Sequence, residues 1–240
     1  MSMLRTSKTR RLLAAILMAP AMVPTFSCAN GMDASTAAFI VPLSYPAVAE
    51  FERNIKNKPI KWLHITSPGG DIEAAMHLGR IVHQRRLNVY VETVCGSSCA
   101  NYVFSAGSVK VIGANAVVAW HGGANSRSFS GIVIEKLKKN APELVLLAKL
   151  RKQEAAFFRM IKVSDRLVCA GDINVQQQQP DAIGWTMSVE SMRRFGLNHV
   201  IAVQPKEIPH TLPGRHERIL ILNPKKICGI AQAESKDRIY

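Results

Sequence analysis

The stretch Ile65-Thr66-Ser67-Pro68-Gly69-Gly70-Asp71-Ile72 joins two periodicities. Before it, residues 59–66 are β-branched and aromatic, the composition of a strand; after it, Ile72, Ala75, Met76, Leu78, Ile81 and Val82 recur at helical spacing. Ser67-Pro68-Gly69-Gly70 breaks both patterns. Asp71 at the start of the helical pattern and Arg85 and Arg86 at its end match the helix dipole. The spacing therefore predicts a strand, a tight turn and a helix over residues 72–85. Residues 88–94 read as a second strand, which completes a βαβ unit expected to be right-handed with parallel strands.

Downstream the rhythm repeats. Cys95-Gly96-Ser97-Ser98 is followed by a short apolar helix over 99–106 ending at Gly107, then by strands at 109–112 and 116–120. Residues 124–131 form a Ser- and Gly-rich loop. Residues 142–163 form a long amphipathic helix with Pro142 in its first turn and Leu144, Leu147, Phe158 and Ile161 available for burial. A glutamine run at 176–179 marks an exposed loop. The tail carries Pro205, Pro209, Pro213 and Pro224 and one strand candidate at 218–222, expected to pack at an edge or remain mobile.

The amino terminus is set apart. Arg5, Lys8, Arg10 and Arg11 precede the charge-free apolar run 12–26, which Ser27-Cys28-Ala29 closes with small residues. This is the layout of a secretory leader over residues 1–29. The run has 15 residues and holds Pro20 and Pro24, whereas a helix crossing a bilayer needs about 20. An uncleaved membrane anchor is thus the second choice, and lipidation at Cys28 would need an aliphatic residue where Thr25 stands. Residues 30–204 are then one domain and 205–240 a basic extension. Without the leader the chain keeps 27 Lys+Arg against 17 Asp+Glu, a net +10. These cations are scattered with no Arg-rich block or interleaved aromatics, which argues for a solvated basic surface and against nucleic acid as a partner.

Export gives the cysteines weight, because the compartment beyond the inner membrane permits disulfides. Four remain after the leader: Cys95, Cys99, Cys169 and Cys228. Pairing Cys95 with Cys99 and Cys169 with Cys228 is one of three possibilities. Cys95 and Cys99, four apart across a helix start, lie within disulfide reach, and such a bridge would staple the intervening serines. The rival reading makes Cys99 a thiolate activated by the helix terminus. No pair of Cys-x-x-Cys dyads is present, so no metal site is expected, and no cofactor.

Both strand-to-helix turns aim backbone N–H groups at a helix start, where negative charge is stabilised. Ser97 and Ser98 stand in the second turn. Trp120-His121-Gly122-Gly123 follows at the end of an apolar strand. Serine and histidine at strand ends suit a nucleophile and its base; taken singly, the serine is equally a helix cap and the histidine an ordinary hydrogen-bonded side chain.

In order, these segments resemble the Clp protease proteolytic subunit and the wider crotonase fold. The matching pieces are Ile65-Thr66-Ser67-Pro68-Gly69-Gly70 and its helix, the Ser98 turn with Ala106-Gly107, residues 115–121, and Met187-Ser188-Val189-Glu190-Ser191-Met192-Arg193-Arg194-Phe195-Gly196-Leu197. The Cys-Gly-Ser-Ser-Cys turn resembles an exported branch of Clp-like proteins. The resemblance spans residues 60–203 and implies an α/β fold, a spiral of ββα units with short parallel sheets and packing helices.

The resemblance further implies Ser98 as nucleophile, counted back from Ala106-Gly107, with Ser97 the alternative if the cysteines set the alignment. His121 matches the family's base. The acid precedes the serine and acidic-helix segment, where Asp181 is first choice, then Asp172 and Asp165. Amides of Gly69, Gly70 and Cys99 would form the oxyanion hole. The expected activity is an exported, periplasmic serine peptidase acting on peptides or proteins as a homo-oligomer. The alternative is a non-catalytic scaffold of the same fold that binds peptides or an envelope partner. Acyl-CoA chemistry is disfavoured because export separates the chain from the coenzyme.

Overall fold

Alternation along residues 62–67 sets the central layer: Leu63 and Ile65 are fully buried while Trp62 and His64 are half-buried. The computed structural model describes residues 33–126, 142–171, 182–203, 211–212 and 217–222. Over these the chain is a mixed α/β protein with a mainly parallel sheet.

Strands β1 (Thr36–Phe39), β2 (Trp62–Ser67), β3 (Asn88–Gly96), β4 (Lys110–Ile112), β5 (Val117–Ala119) and β7 (Val200–Ala202) form a six-stranded sheet. Its order is β1-β2-β3-β4-β7, and every pairing is parallel. β3 is long enough to serve two partners. Its first half pairs with β4, and its second half pairs with β5 in the register Val94↔Val117, Cys95↔Val118 and Gly96↔Ala119. Gly113 accomplishes the step between them: its N–H bonds to the Val91 carbonyl and its own carbonyl accepts from Ala116.

Helix α1 (Tyr45–Ile55) starts at the Ser44 cap with Pro46 in its first turn, and α2 (Ile72–Gln84) starts at Asp71, whose Oδ1 accepts from the Ala74 N–H at 2.8 Å. Val48, Phe51 and Ile55 of α1 and Ala74, Leu78 and Val82 of α2 are buried in the same core as Leu63, Ile65, Val89 and Val91 of the sheet. Each large aliphatic side chain of this set stabilises the fold by about 1.5–3 kcal/mol relative to exposure.

The helix after Ser98, α3 (Cys99–Phe104), is π-helical and buried along its whole length. Helix α4 (Pro142–Ile161) packs against α2, and Phe157 and Phe158 meet Tyr102 of α3 at ring-centroid distances of 5.5 and 6.0 Å. A 3-10 turn (Asp165–Cys169) and helix α5 (Val189–Arg194) follow.

One feature differs from expectation: residues 36–55, where the sequence pattern predicts no element, carry β1 and α1, and β1 has only four residues, too few for its alternation to stand out. The strand expected at 218–222 is present as β8 (Arg218–Ile221), and it pairs in parallel with β6 (Ala182–Thr186) in a second, two-stranded sheet. A reciprocal pair of backbone hydrogen bonds between Trp120 and Trp185 (2.7 and 2.8 Å) joins β6 to the chain leaving β5. The leader, the glutamine run and Cys228 lie outside the described residues. Among the described residues, no helix is long and apolar enough to cross a membrane.

Candidate functional site

The carboxyl ends of β2, β3 and β5 lie side by side, which in an open parallel sheet is where ligands meet the protein. From β2 the chain enters Pro68-Gly69-Gly70. Gly69 and Gly70 take φ of +100° and +149°, angles that glycine adopts without a side-chain clash. A β-carbon on Gly69 would stand 2.6 Å from the Gly96 carbonyl oxygen, and one on Gly70 2.2 Å from that of Leu43. Leu43 locks the turn from the other side: its N–H donates to the Gly69 carbonyl and its carbonyl accepts from Asp71, each at 2.9 Å.

From β3 the chain enters Ser97, which is held in the left-handed region at φ 52° and donates its N–H to the Ala119 carbonyl at 2.8 Å. That geometry aims Ser98 at the glycine turn. Ser98 is 2 % exposed. Its Oγ accepts from the Gly70 N–H at 2.8 Å and donates to the Gly70 carbonyl at 3.0 Å. The Gly69 N–H is satisfied by Ser67 Oγ at 3.3 Å. Cys99 opens α3, where first-turn amides have no intrahelical acceptor.

Cys95 and Cys99 form a disulfide, with Cα atoms 5.2 Å apart, and both are fully buried. The bond removes Cys99 as a thiolate and closes a loop around Ser97 and Ser98. Cys169 sits in the 3-10 turn, where its Sγ lies 3.6 Å from the Arg166 carbonyl.

His121 follows Trp120 at the end of β5 and is exposed. Because Gly96 pairs with Ala119, Ser98 and His121 each stand two residues beyond a paired position on neighbouring strands. No hydrogen bond joins their side chains. Of the acid candidates, Asp181 and Asp172 lie outside the described residues, and Asp165 is half-buried in the 3-10 turn. Strand β6 itself carries no acid; Gly184 packs there, where a β-carbon would stand 2.3 Å from the Trp120 carbonyl oxygen and 3.7 Å from the His121 Cα.

A buried polar cluster fixes the segment after His121. Asn101 of α3 donates from Nδ2 to the Gly122 carbonyl at 2.6 Å. Glu154 of α4, with no exposed surface, accepts from the Tyr102 hydroxyl and the Ala124 N–H (3.1 Å) on Oε1, and from the Asn125 N–H (2.8 Å) and Asn125 Nδ2 (2.9 Å) on Oε2. Burial raises the Glu154 carboxyl above its ordinary value, and these donors oppose the rise. Burial, with the adjacent Glu154, pushes the Tyr102 phenol well above its usual value, so it remains a neutral donor. Arg151 Nε adds a bond to the Ala124 carbonyl at 3.1 Å. Sequence reasoning missed Glu154. Its signal was a lone carboxylate on the stripe formed by Leu147, Leu150, Phe157 and Phe158, the face that α4 buries.

No known protein family matches the chain, and no curated protein matches it.

Proposed function

We propose that the chain is an exported serine peptidase built like the Clp protease proteolytic subunit on a crotonase-type spiral of ββα units. The register carries this reading: pairing of Gly96 with Ala119 sets Ser98 and His121 at adjacent strand ends, with the Gly70 N–H 2.8 Å from Ser98 Oγ. In the reaction Ser98 Oγ attacks a peptide carbonyl, and His121 accepts the hydroxyl proton and returns it to the leaving amine. Amides of Gly70 and Cys99, with that of Gly69 once it leaves Ser67 Oγ, supply the oxyanion donors, each worth about 100-fold or more in rate. Asp181 is the proposed acid; it immediately precedes β6, the strand bridged to Trp120. Ser98 must first leave Gly70, so substrate binding or assembly with further copies of the chain has to free the hydroxyl and the Gly70 amide together. The buried disulfide supports a periplasmic location, since such bonds persist in oxidising compartments.

One observation favours the second reading, a non-catalytic scaffold that binds peptides or an envelope partner: the Ser98 hydroxyl is spent on Gly70 as both donor and acceptor. A fluorophosphonate probe separates the two. Expressed into the periplasm, the chain should label, and labelling should disappear in Ser98→Ala and His121→Ala but persist in Ser97→Ala. A folded protein that does not label, or labels regardless of His121, sinks the Ser98–His121 pair and moves the proposal to the scaffold reading.

A further inference from the structure

We propose that Glu154 is a positioning residue that anchors the segment carrying His121, and that the placement of the base against Ser98 depends on it. The catalytic part of this inference rests on the peptidase reading. Glu154 bonds both α3, through Tyr102, and the segment after His121, through Ala124 and Asn125. A second tie, from Asn101 to the Gly122 carbonyl, holds the same segment to α3. Asn101 and Tyr102, the α3 ends of the two ties, are consecutive residues of the π-helix, Asn101 bonding the segment itself and Tyr102 bonding Glu154.

The carboxylate is hard to replace. Its four contacts are all donors, so it acts only as an acceptor, and its own site allows little room: a β-carbon on Gly123 would stand 2.3 Å from Oε1. A glutamine keeps the volume but turns one oxygen into an NH2 group, which would face either the Tyr102 hydroxyl and Ala124 N–H or both Asn125 donors. Buried groups left without acceptors are expensive, so the segment has to shift. His121 stands directly before it, and a displacement on the order of 1 Å at a reacting group costs about 100-fold in rate.

The test uses the exported full-length chain and compares wild type with Glu154→Gln, the milder Glu154→Asp and Tyr102→Phe, which keeps the loop contacts of Glu154. Hydrogen exchange reads the anchor directly: Glu154→Gln should accelerate exchange at residues 123–126 by about tenfold or more, with β3 and α2 unchanged. Fluorophosphonate labelling reads the consequence. The maximal labelling rate per folded molecule should fall about 10- to 100-fold in Glu154→Gln, less in Glu154→Asp, and little in Tyr102→Phe. The concentration for half-maximal rate should hold, and the pH midpoint of labelling should move. A role in stability alone would lower the Tm and leave the rate per folded molecule and the pH midpoint unchanged; that result overturns the inference, as does unchanged exchange at 123–126. A wild type that fails to label while Glu154→Gln accelerates exchange sinks the peptidase reading and leaves the anchor standing.

Discussion

Reducing the Cys95–Cys99 bridge should loosen the protein by an amount set by its short span. The cysteines are four apart in sequence, with Ser97 and Ser98 inside the loop. Loop-closure entropy for about five residues gives roughly 2 kcal/mol at 25 °C. In a domain of this size about 1 kcal/mol moves Tm by roughly 2–4 °C, so the reduced form should melt about 4–8 °C lower. The comparison is made in a Cys169→Ala, Cys228→Ala background, so that one bridge alone is reduced, using circular dichroism with and without a phosphine reductant. Peptide mapping confirms the 95–99 crosslink before reduction. A shift under 1 °C would mean that strand pairing and burial hold the turn equally well without the bond. A loss above 15 °C would mean that the bond organises far more than its own loop. Fluorophosphonate labelling should also slow on reduction, since the bond fixes the backbone that carries Ser98.

Other expectations follow from single contacts. Gly69→Ala should destabilise by about 3 kcal/mol or more, because the new methyl meets backbone at Gly96 and the residue keeps a φ of +100°; urea unfolding that shows less than 1 kcal/mol contradicts the geometry. Lys110, whose Nζ donates to the Gly107 and Asn198 carbonyls, is lowered to about 8 by burial. Its folded value lies below the unfolded one, so stability should rise with pH between about 8 and 10.5, by about 3 kcal/mol in all, and stay flat below 8 as far as this group is concerned. Lys110→Met should flatten that slope in denaturant titrations across pH. Phe157→Ala should cost about 3–5 kcal/mol, since this fully buried ring packs edge-on against both Tyr102 and Phe158.

The succession strand, glycine turn, helix, strand was legible because Leu63, Ile65, Leu78 and Val82 alternate or recur at the period of the element they occupy, and because Pro68-Gly69-Gly70 cannot continue either element. The Cys95–Cys99 bridge was legible as one option from spacing and compartment. Periodicity said less at the edges: β1 is too short to show its period, and while the strand at 218–222 was legible, its partner β6, over thirty residues earlier, was not.

Local sequence alone determined where chain direction changes and which residue types stand there, because backbone freedom and side-chain periodicity act over a few residues. Only the tertiary structure decided what those residues touch. That Ser98 is hydrogen-bonded to Gly70, that one strand serves β4 and β5 in turn and so sets His121 beside it, and that Glu154 closes over Ala124 and Asn125 are contacts across 21 to 30 positions of chain. They follow from strand register and helix packing, which minimise exposed apolar surface and unpaired polar groups over the whole domain at once.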